Sequence, residues 1–319
     1  TRPDWISEDE VKMLRRLGAT KIQIGIQSLD NKILKANRRG HTTKETKKSF
    51  ELLREAGFKI HAHWMPNLYM SNVKKDKKDY LKIWGKDFRP DELKIYPTSL
   101  LPNTALEKLF KDGKYIPYTE DELKDILKFS LLNTPRYCRL TRVVRDIPAQ
   151  EILEGNIKSN MRQIVEKEIK DKRLKLEDIR GREIRNENIT MDDLEKEIIK
   201  YKTSVSTEYF ISYKTKNDDK ICSFLRLSIP KKRNNFIDEL SNSSIIREVH
   251  VYGQVVGIGK KDIGKSQHLG LGKKMINTTE DISKRNGFKY ISVISAIGTR
   301  KYYEKLGFKK QGLYMKKEV

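Results

Sequence analysis

A glycine-containing segment near the end of the chain has the residue types of a phosphate site. Residues 267–272 read Gln-His-Leu-Gly-Leu-Gly, between a predicted strand and a predicted helix. Glycine lets the backbone approach a phosphate closely, and the N–H groups of the first helical turn point at the bound anion. Another strand follows, and then a Tyr-Tyr-Glu-Lys-Leu-Gly-Phe sequence that begins at Tyr302. This order of elements favours a phosphate-bearing ligand over the alternative, an ordinary strand-to-helix turn.

The same order of motifs resembles the GNAT acetyltransferases, whose glycine loop binds the pyrophosphate of acetyl-CoA. The resemblance implies that backbone amides of residues 271–273 hold the pyrophosphate, and that the strand at residues 248–251 pairs with the pantetheine arm. The acetyl-CoA contacts that it implies are Glu248, Val249, His250, Val251, Gln267, Gly270, Leu271, Gly272, Lys273 and Tyr303.

Catalytic roles for four side chains follow from this resemblance. Tyr303, or its neighbour Tyr302, would stand near the thioester sulfur and donate a proton to the leaving thiolate. Glu248 and His250 are alternate residues of one predicted strand, so both side chains can face the same site and either is a candidate base. A purely structural role is the alternative for His250.

The charge balance suggests a polyanionic partner. Lysine and arginine total 67 against 44 aspartates and glutamates, which gives a formal net charge of +23. A heat-adapted, Lys/Glu-rich composition accounts for many charges but not for their imbalance. Neutralising phosphates with lysine or arginine releases counterions and favours binding. We therefore expect a nucleic-acid partner.

Several classes of protein are disfavoured by what the sequence lacks. The two cysteines, Cys138 and Cys222, cannot build a disulfide framework or a cysteine-rich metal cage. No apolar run approaches the roughly 18 residues of a membrane span. The first residues do not have a signal-peptide pattern. We expect a cytoplasmic protein of two domains, without a membrane partner.

Two different arrangements of elements must position these residues. Up to residue 133, predicted strands and helices alternate at intervals of about 30–40 residues, the rhythm of βα units with a parallel sheet. The predicted strands there are 21–29, 58–66 and 92–96. In such units, function collects at the carboxyl ends of the strands. Beyond residue 190 the predictions are strands at 208–213, 221–229, 245–256 and 290–295 and helices at 270–286 and 301–306.

Longer segments extend a resemblance over nearly the whole chain. They are residues 25–28, 39–41, 63–67, 142–148, 182–184, 247–253, 267–272, 295–303 and 311–315. Together they resemble the catalytic subunit of the Elongator complex, the tRNA uridine(34) acetyltransferase family, and we expect an archaeal member. The resemblance implies an α/β fold: the C-terminal half of a radical SAM (β/α) barrel at 1–138, a linker at 139–185, and a GNAT-type mixed α/β acetyltransferase domain at 186–319.

This family resemblance implies modification of the tRNA wobble uridine at carbon 5, leading to 5-carboxymethyluridine. The acyl donor is acetyl-CoA, and S-adenosylmethionine with a [4Fe–4S] cluster supplies a radical. Gln27 and Arg39 match positions near the S-adenosylmethionine ribose and carboxylate, and His63 and Asn67 line the same strand end. The anticodon region of tRNA is the implied partner, with a homo-oligomer or accessory Elongator-type subunits.

The chain also departs from the family pattern. The family's three closely spaced cysteines have no match, and only part of the barrel is represented. We therefore expect an N-terminally truncated chain that keeps acetyl-CoA binding but lacks the cluster half. We predict no metal site, and no zinc at residues 179–184. A metal held by His61 and His63 stays an alternative.

Two other functions remain open: a GNAT lysine acetyltransferase that acts on a protein, and a non-catalytic RNA-binding assembly subunit. The net charge of +23 disfavours a basic peptide substrate, because like charges repel. The glycine loop and the paired tyrosines disfavour a degenerate acetyl-CoA pocket.

Overall fold

The computed structural model describes residues 1–144, 149–155, 160–185, 189–252 and 270–319. These residues form two compact units. The first unit comprises Thr1–Trp5, Gln23–Ser49 and Ile60–Gly181. The second comprises Ile6–Ile22, Phe50–Lys59 and Arg182–Val319. The domain bounds expected from the sequence stay predictions.

A four-stranded sheet, here called the N-terminal sheet, belongs mainly to the first unit. Its strands lie in chain order: β1 (Lys21–Gln27), β2 (Lys59–Trp64), β3 (Glu92–Ile95) and β4 (Arg139–Val143). The pairs β2–β3 and β3–β4 are parallel, as the alternation of strands and helices predicts. The chain up to residue 182 also forms helices α1 (Glu8–Arg16), α2 (Asn31–Ala36), α3 (Thr43–Glu55), α4 (Val73–Lys82), α5 (Ala105–Lys111), α6 (Glu120–Leu132), α7 (Met161–Asp171) and α8 (Ile179–Arg182).

Local sequence signals set the ends of several of these helices. The Ser7 side chain accepts the backbone N–H of Glu10 at the start of α1. Thr119 and Glu122 form a full capping box at the start of α6, as their spacing predicts. Asn72 caps α4, whose first residue is therefore Val73. The predicted linker segment contains β4, α7 and α8.

The second unit contains a seven-stranded sheet, here called the C-terminal sheet. Its strands are β5 (Leu194–Lys202), β6 (Ser206–Thr215), β7 (Ile221–Pro230), β8 (Ser243–Val251), β9 (Tyr290–Val293), β10 (Lys309–Gln311) and β11 (Tyr314–Glu318). Their order is β10-β11-β9-β8-β7-β6-β5. Neighbouring strands are antiparallel except β8 and β9, which are parallel. The predicted strand pair around Asp218 is confirmed as β6 and β7.

Helix α9 (Leu271–Arg285) covers one face of the C-terminal sheet, and the short helix α10 (Arg300–Glu304) follows β9. The buried cluster between α9 and the sheet includes Leu225, Ile246 and Met275. Short 3₁₀ turns occur at Pro3–Trp5, Ala149–Glu151, Asp238–Leu240 and Ile297–Thr299. Within the ranges that the structure describes, no helix is long and apolar enough to cross a membrane.

Candidate functional site

Strands β8 and β9 separate partway along the C-terminal sheet. They pair only from Ser243 opposite Tyr290 to Ile246 opposite Val293. Strand β8 then continues to Val251, still paired on its other side with β7. No described strand lies on the β9 side of residues 247–251. Backbone hydrogen-bonding groups along this edge are thus available to an extended ligand.

The start of α9 lies next to this separation. Gly270 has a φ of 65°, a left-handed conformation that favours glycine, and the helix begins at Leu271. The N–H groups of the first turn, from Leu271 to Lys273, have no acceptor within the helix. A methyl group at Gly272 would lie 2.6 Å from the Tyr302 hydroxyl and 4.0 Å from the Val251 side chain. The helix start, the end of β8 and a tyrosine hydroxyl therefore converge. Gln267, the first residue of the predicted loop, lies outside the described residues.

The two adjacent tyrosines occupy different environments. Tyr303 is 7% exposed and belongs to the buried cluster under α9, where its ring lies 5.8 Å from the ring of Phe308. Tyr302 is 42% exposed, and its hydroxyl is the one beside Gly272. Burial raises the pKa of both phenols, so both are protonated at neutral pH. Tyr302 has the more accessible proton.

Glu248 and His250 lie on the face of β8 opposite to α9, because Val249 and Val251 pack against the cluster under that helix. Both carboxylate oxygens of Glu248 are held by cations, Lys59 at 2.6 Å and Arg226 at 2.8 Å. The exposed imidazole of His250 stacks on the Phe224 ring at 5.5 Å. The two predicted bases therefore share a face, and Glu248 is engaged in ion pairs there.

At the carboxyl end of β1, two predicted ligand residues carry buried polar atoms without partners. Gln27 has a φ of 60° and is 7% exposed. Its Oε1 atom and the Nε atom of Arg39 have no hydrogen-bond partner among the described residues. A methyl group at Gly25 would lie 2.5 Å from Gln27 Nε2 and 3.8 Å from Arg39 Nη2. Burial and neighbouring Arg2 lower the pKa of Arg39. A polar, anionic ligand would satisfy this arrangement.

His41 was not singled out from the sequence, yet it fixes the segment that carries Arg39. Its two ring nitrogens lie 3.2 Å from the Arg39 carbonyl oxygen and 3.3 Å from that of Ile26, in β1. The signal available in the sequence was the adjacency of Arg39, Gly40 and His41, which does not reveal the contact with β1.

His63 lies on a polar face of the N-terminal sheet. Its Nε2 is 3.0 Å from Gln23 Oε1, which also accepts from Lys94 at 2.8 Å. Burial and the Lys94 charge lower the pKa of His63 to about 4, so the ring is neutral at pH 7. His61 instead contacts Thr141 Oγ1 at 2.8 Å and Glu92 at 3.3 Å. In the described part of the chain, no cluster of three His, Cys, Asp or Glu side chains could hold a metal ion.

The loop after β2 is held by residues that the sequence did not single out. Asn67 is buried with a φ of 64°, and its backbone N–H donates to Asp76 at 2.7 Å. The Tyr118 hydroxyl donates to the same carboxylate at 2.7 Å, and Tyr115 donates to the Asn67 carbonyl oxygen at 3.0 Å. Such over-determined, strained backbone is typical of functional sites.

Comparison with sequence families agrees with the N-terminal part of this architecture. Residues 1–75 match the radical SAM superfamily, and residues 90–171 match the radical SAM C-terminal domain. With its mixed C-terminal sheet, the chain is an α/β protein that joins part of a radical SAM fold to a GNAT-like acetyltransferase domain.

Similar proteins define the family more narrowly. A tRNA uridine(34) acetyltransferase from Methanocaldococcus infernus is 37% identical over 330 residues, covering 100% of this chain and 61% of the relative. Elongator complex protein 3 from Saccharomyces cerevisiae is 34% identical over 327 residues, covering 100% and 59%. A solved structure of M. infernus Elp3 with an N-terminal deletion has a TM-score of 0.91 at 36% identity, covering 100% of this chain and 77% of that one.

The chain therefore belongs to the family of the archaeal tRNA uridine(34) acetyltransferases and Elongator complex protein 3. It spans about 60% of the length of these curated relatives.

Proposed function

We propose that this chain takes part in modifying the wobble uridine of tRNA at carbon 5, with acetyl-CoA as the acyl donor. The observation that carries the proposal is the separation of β8 from β9 beside the start of α9, with the Tyr302 hydroxyl next to Gly272. The pyrophosphate of an extended acyl donor fits the helix start, and its pantetheine arm fits the free edge of β8. The named relatives and the charge surplus support tRNA as the acceptor.

In this proposal the first turn of α9 and the free edge of β8 bind different parts of acetyl-CoA. The first-turn amides at Leu271, Gly272 and Lys273 bind the pyrophosphate, because a helix start attracts anions. The free edge of β8 at Val249 and Val251 pairs with the amides of the pantetheine arm. Gly272 has no side chain, and a side chain at this position would collide with Tyr302.

Proton transfer is assigned to the accessible side chains. Tyr302 is the candidate proton donor to the departing thiolate, because its side chain is the accessible one while Tyr303 packs in the core. His250 is the candidate base. Glu248 acts as a positioning residue, because Lys59 and Arg226 already hold both of its oxygens.

For S-adenosylmethionine, the proposed contacts are Gln27 and Arg39, with His63 nearby on the next strand. The Arg39 guanidinium suits the carboxylate of the methionine moiety, and the Gln27 amide suits a ribose hydroxyl. Their unpartnered buried atoms fit such a ligand. When bound, S-adenosylmethionine supplies the radical chemistry of this family.

The residues of this chain do not fit a [4Fe–4S] cluster. The chain contains two cysteines, Cys138 and Cys222, and both are buried. No step of the proposed reaction uses a cluster held by this chain. In this proposal the enzyme acts in the cytoplasm, where its tRNA substrate is. It acts there as a single chain, as a homo-oligomer or with accessory Elongator-type subunits.

The test is acetyl-CoA hydrolysis by the chain, measured by thiol release with and without tRNA. We expect tRNA to stimulate hydrolysis, because a correctly bound acceptor completes the acyl site. Tyr302→Phe should lower the stimulated rate by roughly 10²-fold or more without weakening acetyl-CoA binding.

Tyr303→Phe is the matched control, since it removes a hydroxyl from the adjacent, buried ring. Acetyl transfer to a protein without any tRNA effect would contradict the proposal in favour of a lysine acetyltransferase. Equal losses in both tyrosine variants would refute the role of Tyr302.

A further inference from the structure

Basic side chains gather at the end of the C-terminal sheet that lies away from the separation of β8 and β9. The hairpin patch consists of Lys289, Lys309, Lys310 and Lys316 around the half-buried ring of Tyr290. A groove of about 480 Å³ runs beside it, lined by Tyr290 and by lysines of β10 and β11. Glu318 is the acidic residue of this lining.

Charges in the hairpin patch are not neutralised in the way that this chain neutralises other surface lysines. Lys77, Lys111 and Lys124 each contact a carboxylate at 2.7–2.8 Å. Within the described ranges, no carboxylate lies within ion-pair distance of Lys289, Lys309 or Lys310. Lys316 donates to a backbone carbonyl, that of Glu239 at 2.8 Å, and is not in a direct ion pair with the carboxylate of that residue.

The strand register makes this concentration of charge costly for the isolated fold. Lys309 lies directly opposite Lys316 across β10 and β11, and like charges at such positions destabilise a sheet. Lysines on the edge strand β10 would protect the edge from unwanted pairing. That explanation does not cover Lys316, which lies on the inner strand with its ammonium 4.4 Å from the centre of the Tyr290 ring. A bound anion would offset the repulsion.

The position of the patch indicates the size of that anion. Ser243 of β8 pairs with Tyr290, and Val251 lies eight residues further along β8 beside the acyl site. At about 3.3 Å per residue, the Tyr290 end of the patch is displaced from that site by roughly 26 Å along the strand direction. A polyanion that reaches both positions needs regularly spaced phosphates over that span, which a helical RNA stem provides.

We propose that the hairpin patch binds the phosphate backbone of a helical stem of the tRNA while the reacting nucleotide lies at the acyl site. This inference rests on the proposed function, because tRNA is the acceptor assumed there. Lysine contacts to phosphates supply affinity and register without reading sequence. The patch would therefore orient the tRNA and contribute to binding of any tRNA with an intact stem.

The test is tRNA binding by the full chain and by the variant Lys289→Gln/Lys309→Gln/Lys310→Gln, measured across a salt series. Removing three phosphate contacts should lower the slope of log K against log salt by about 2 to 3. Affinity for whole tRNA should fall roughly tenfold or more at 0.1 M salt. Binding of a single-stranded heptanucleotide with the anticodon-loop sequence should not change, because it has no stem.

The matched control is Lys111→Gln/Lys114→Gln/Lys124→Gln, which removes the same charge from lysines that already pair with carboxylates. Equal affinity losses in the two triple variants would overturn the inference, as would a failure of the unmodified chain to bind tRNA. Loss of binding to anionic lipid vesicles with full tRNA binding retained would assign the patch to a membrane and also overturn it. Acetyl-CoA hydrolysis without tRNA, measured on the same samples, reports separately on the proposed function.

Discussion

Asp76 is a buried carboxylate that fixes the loop after β2. It accepts the Asn67 backbone N–H and the Ser71 and Tyr118 hydroxyls, and it is only 3% exposed. Burial outweighs these hydrogen bonds and raises the pKa of Asp76 to about 6, above its ordinary value of 3.8. The folded protein therefore binds this proton more tightly than the unfolded chain does.

This pKa predicts a specific dependence of stability on pH. The contribution of Asp76 is fully present below its unfolded pKa and is lost as the pH rises through about 6. The loss is about 3 kcal/mol at most. The advantage of the wild-type chain over Asp76→Asn in unfolding free energy should therefore shrink between about pH 4 and about pH 7. Denaturant unfolding at a series of pH values measures it.

His63 acts in the opposite direction, since its pKa is lowered to about 4 and its contribution is lost as the pH falls. The comparison with Asp76→Asn cancels this effect, because both proteins keep His63. Asp121→Asn is the control, with an aspartate side chain that is 96% exposed. A constant difference between wild type and Asp76→Asn across this pH range would contradict the prediction.

Sequence patterns predict some residues of the candidate site and miss others. Gln27 and His63 were predicted because they lie at strand ends, and Arg39 because of the family resemblance; their ligand roles stay predictions. Asp76, Tyr115 and Tyr118 were not predicted, because their contacts join residues 9 to 48 positions apart that no local pattern links. Adjacent tyrosines are also ambiguous in sequence, since only the packing of α10 decides which ring faces the core.

At the scale of elements, a buried ion network holds the end of α3 to the C-terminal sheet. Glu208 of β6 accepts from Arg247 of β8 at 2.7 Å, and Arg54 of α3 lies 3.6 Å away. Arg247 also donates to the carbonyl oxygen of Phe58 at 3.1 Å. Burial opposes the charge of Glu208, but the two arginines hold its pKa below the ordinary value.

Breaking this network should lower the free energy of unfolding. Glu208→Gln removes a buried counter-ion that Arg247 and Arg54 share, so we expect a loss of about 3–5 kcal/mol in the free energy of unfolding. Glu195→Gln is the control, because Glu195 is a half-exposed partner of Lys214 on the same sheet and should cost at most about 1 kcal/mol. Similar losses in both variants, measured by urea unfolding, would refute the account.

Element prediction succeeded where the side-chain period was clear. The predicted strands at 21–29, 58–66, 208–213 and 221–229 correspond to β1, β2, β6 and β7. Strand β5 reads Leu-Glu-Lys-Glu-Ile-Ile-Lys-Tyr-Lys, and its mixed charges conceal an edge strand that pairs along its whole length with β6. Strand β10 is three exposed residues, too short for a periodic signal.

At the scale of the whole molecule, the charge surplus predicted a polyanion without locating it. The structure adds a location, the hairpin patch, at the end of the sheet away from the proposed acyl site. The sequence could not predict this patch, because it depends on strands whose pairing brings Lys309 opposite Lys316. In the two proposals, the site beside β8 binds the acyl donor and the hairpin patch binds the stem of the acceptor tRNA.

The most direct test of the central claim is calorimetric titration of the chain with acetyl-CoA in the absence of tRNA. The account predicts binding to the wild-type chain and its loss in Gly272→Asp, because a carboxylate there repels pyrophosphate and collides with Tyr302. Asn277→Asp adds the same charge at an exposed position of the same helix and should bind normally. Unchanged binding in Gly272→Asp would contradict the assignment of this helix start to acetyl-CoA.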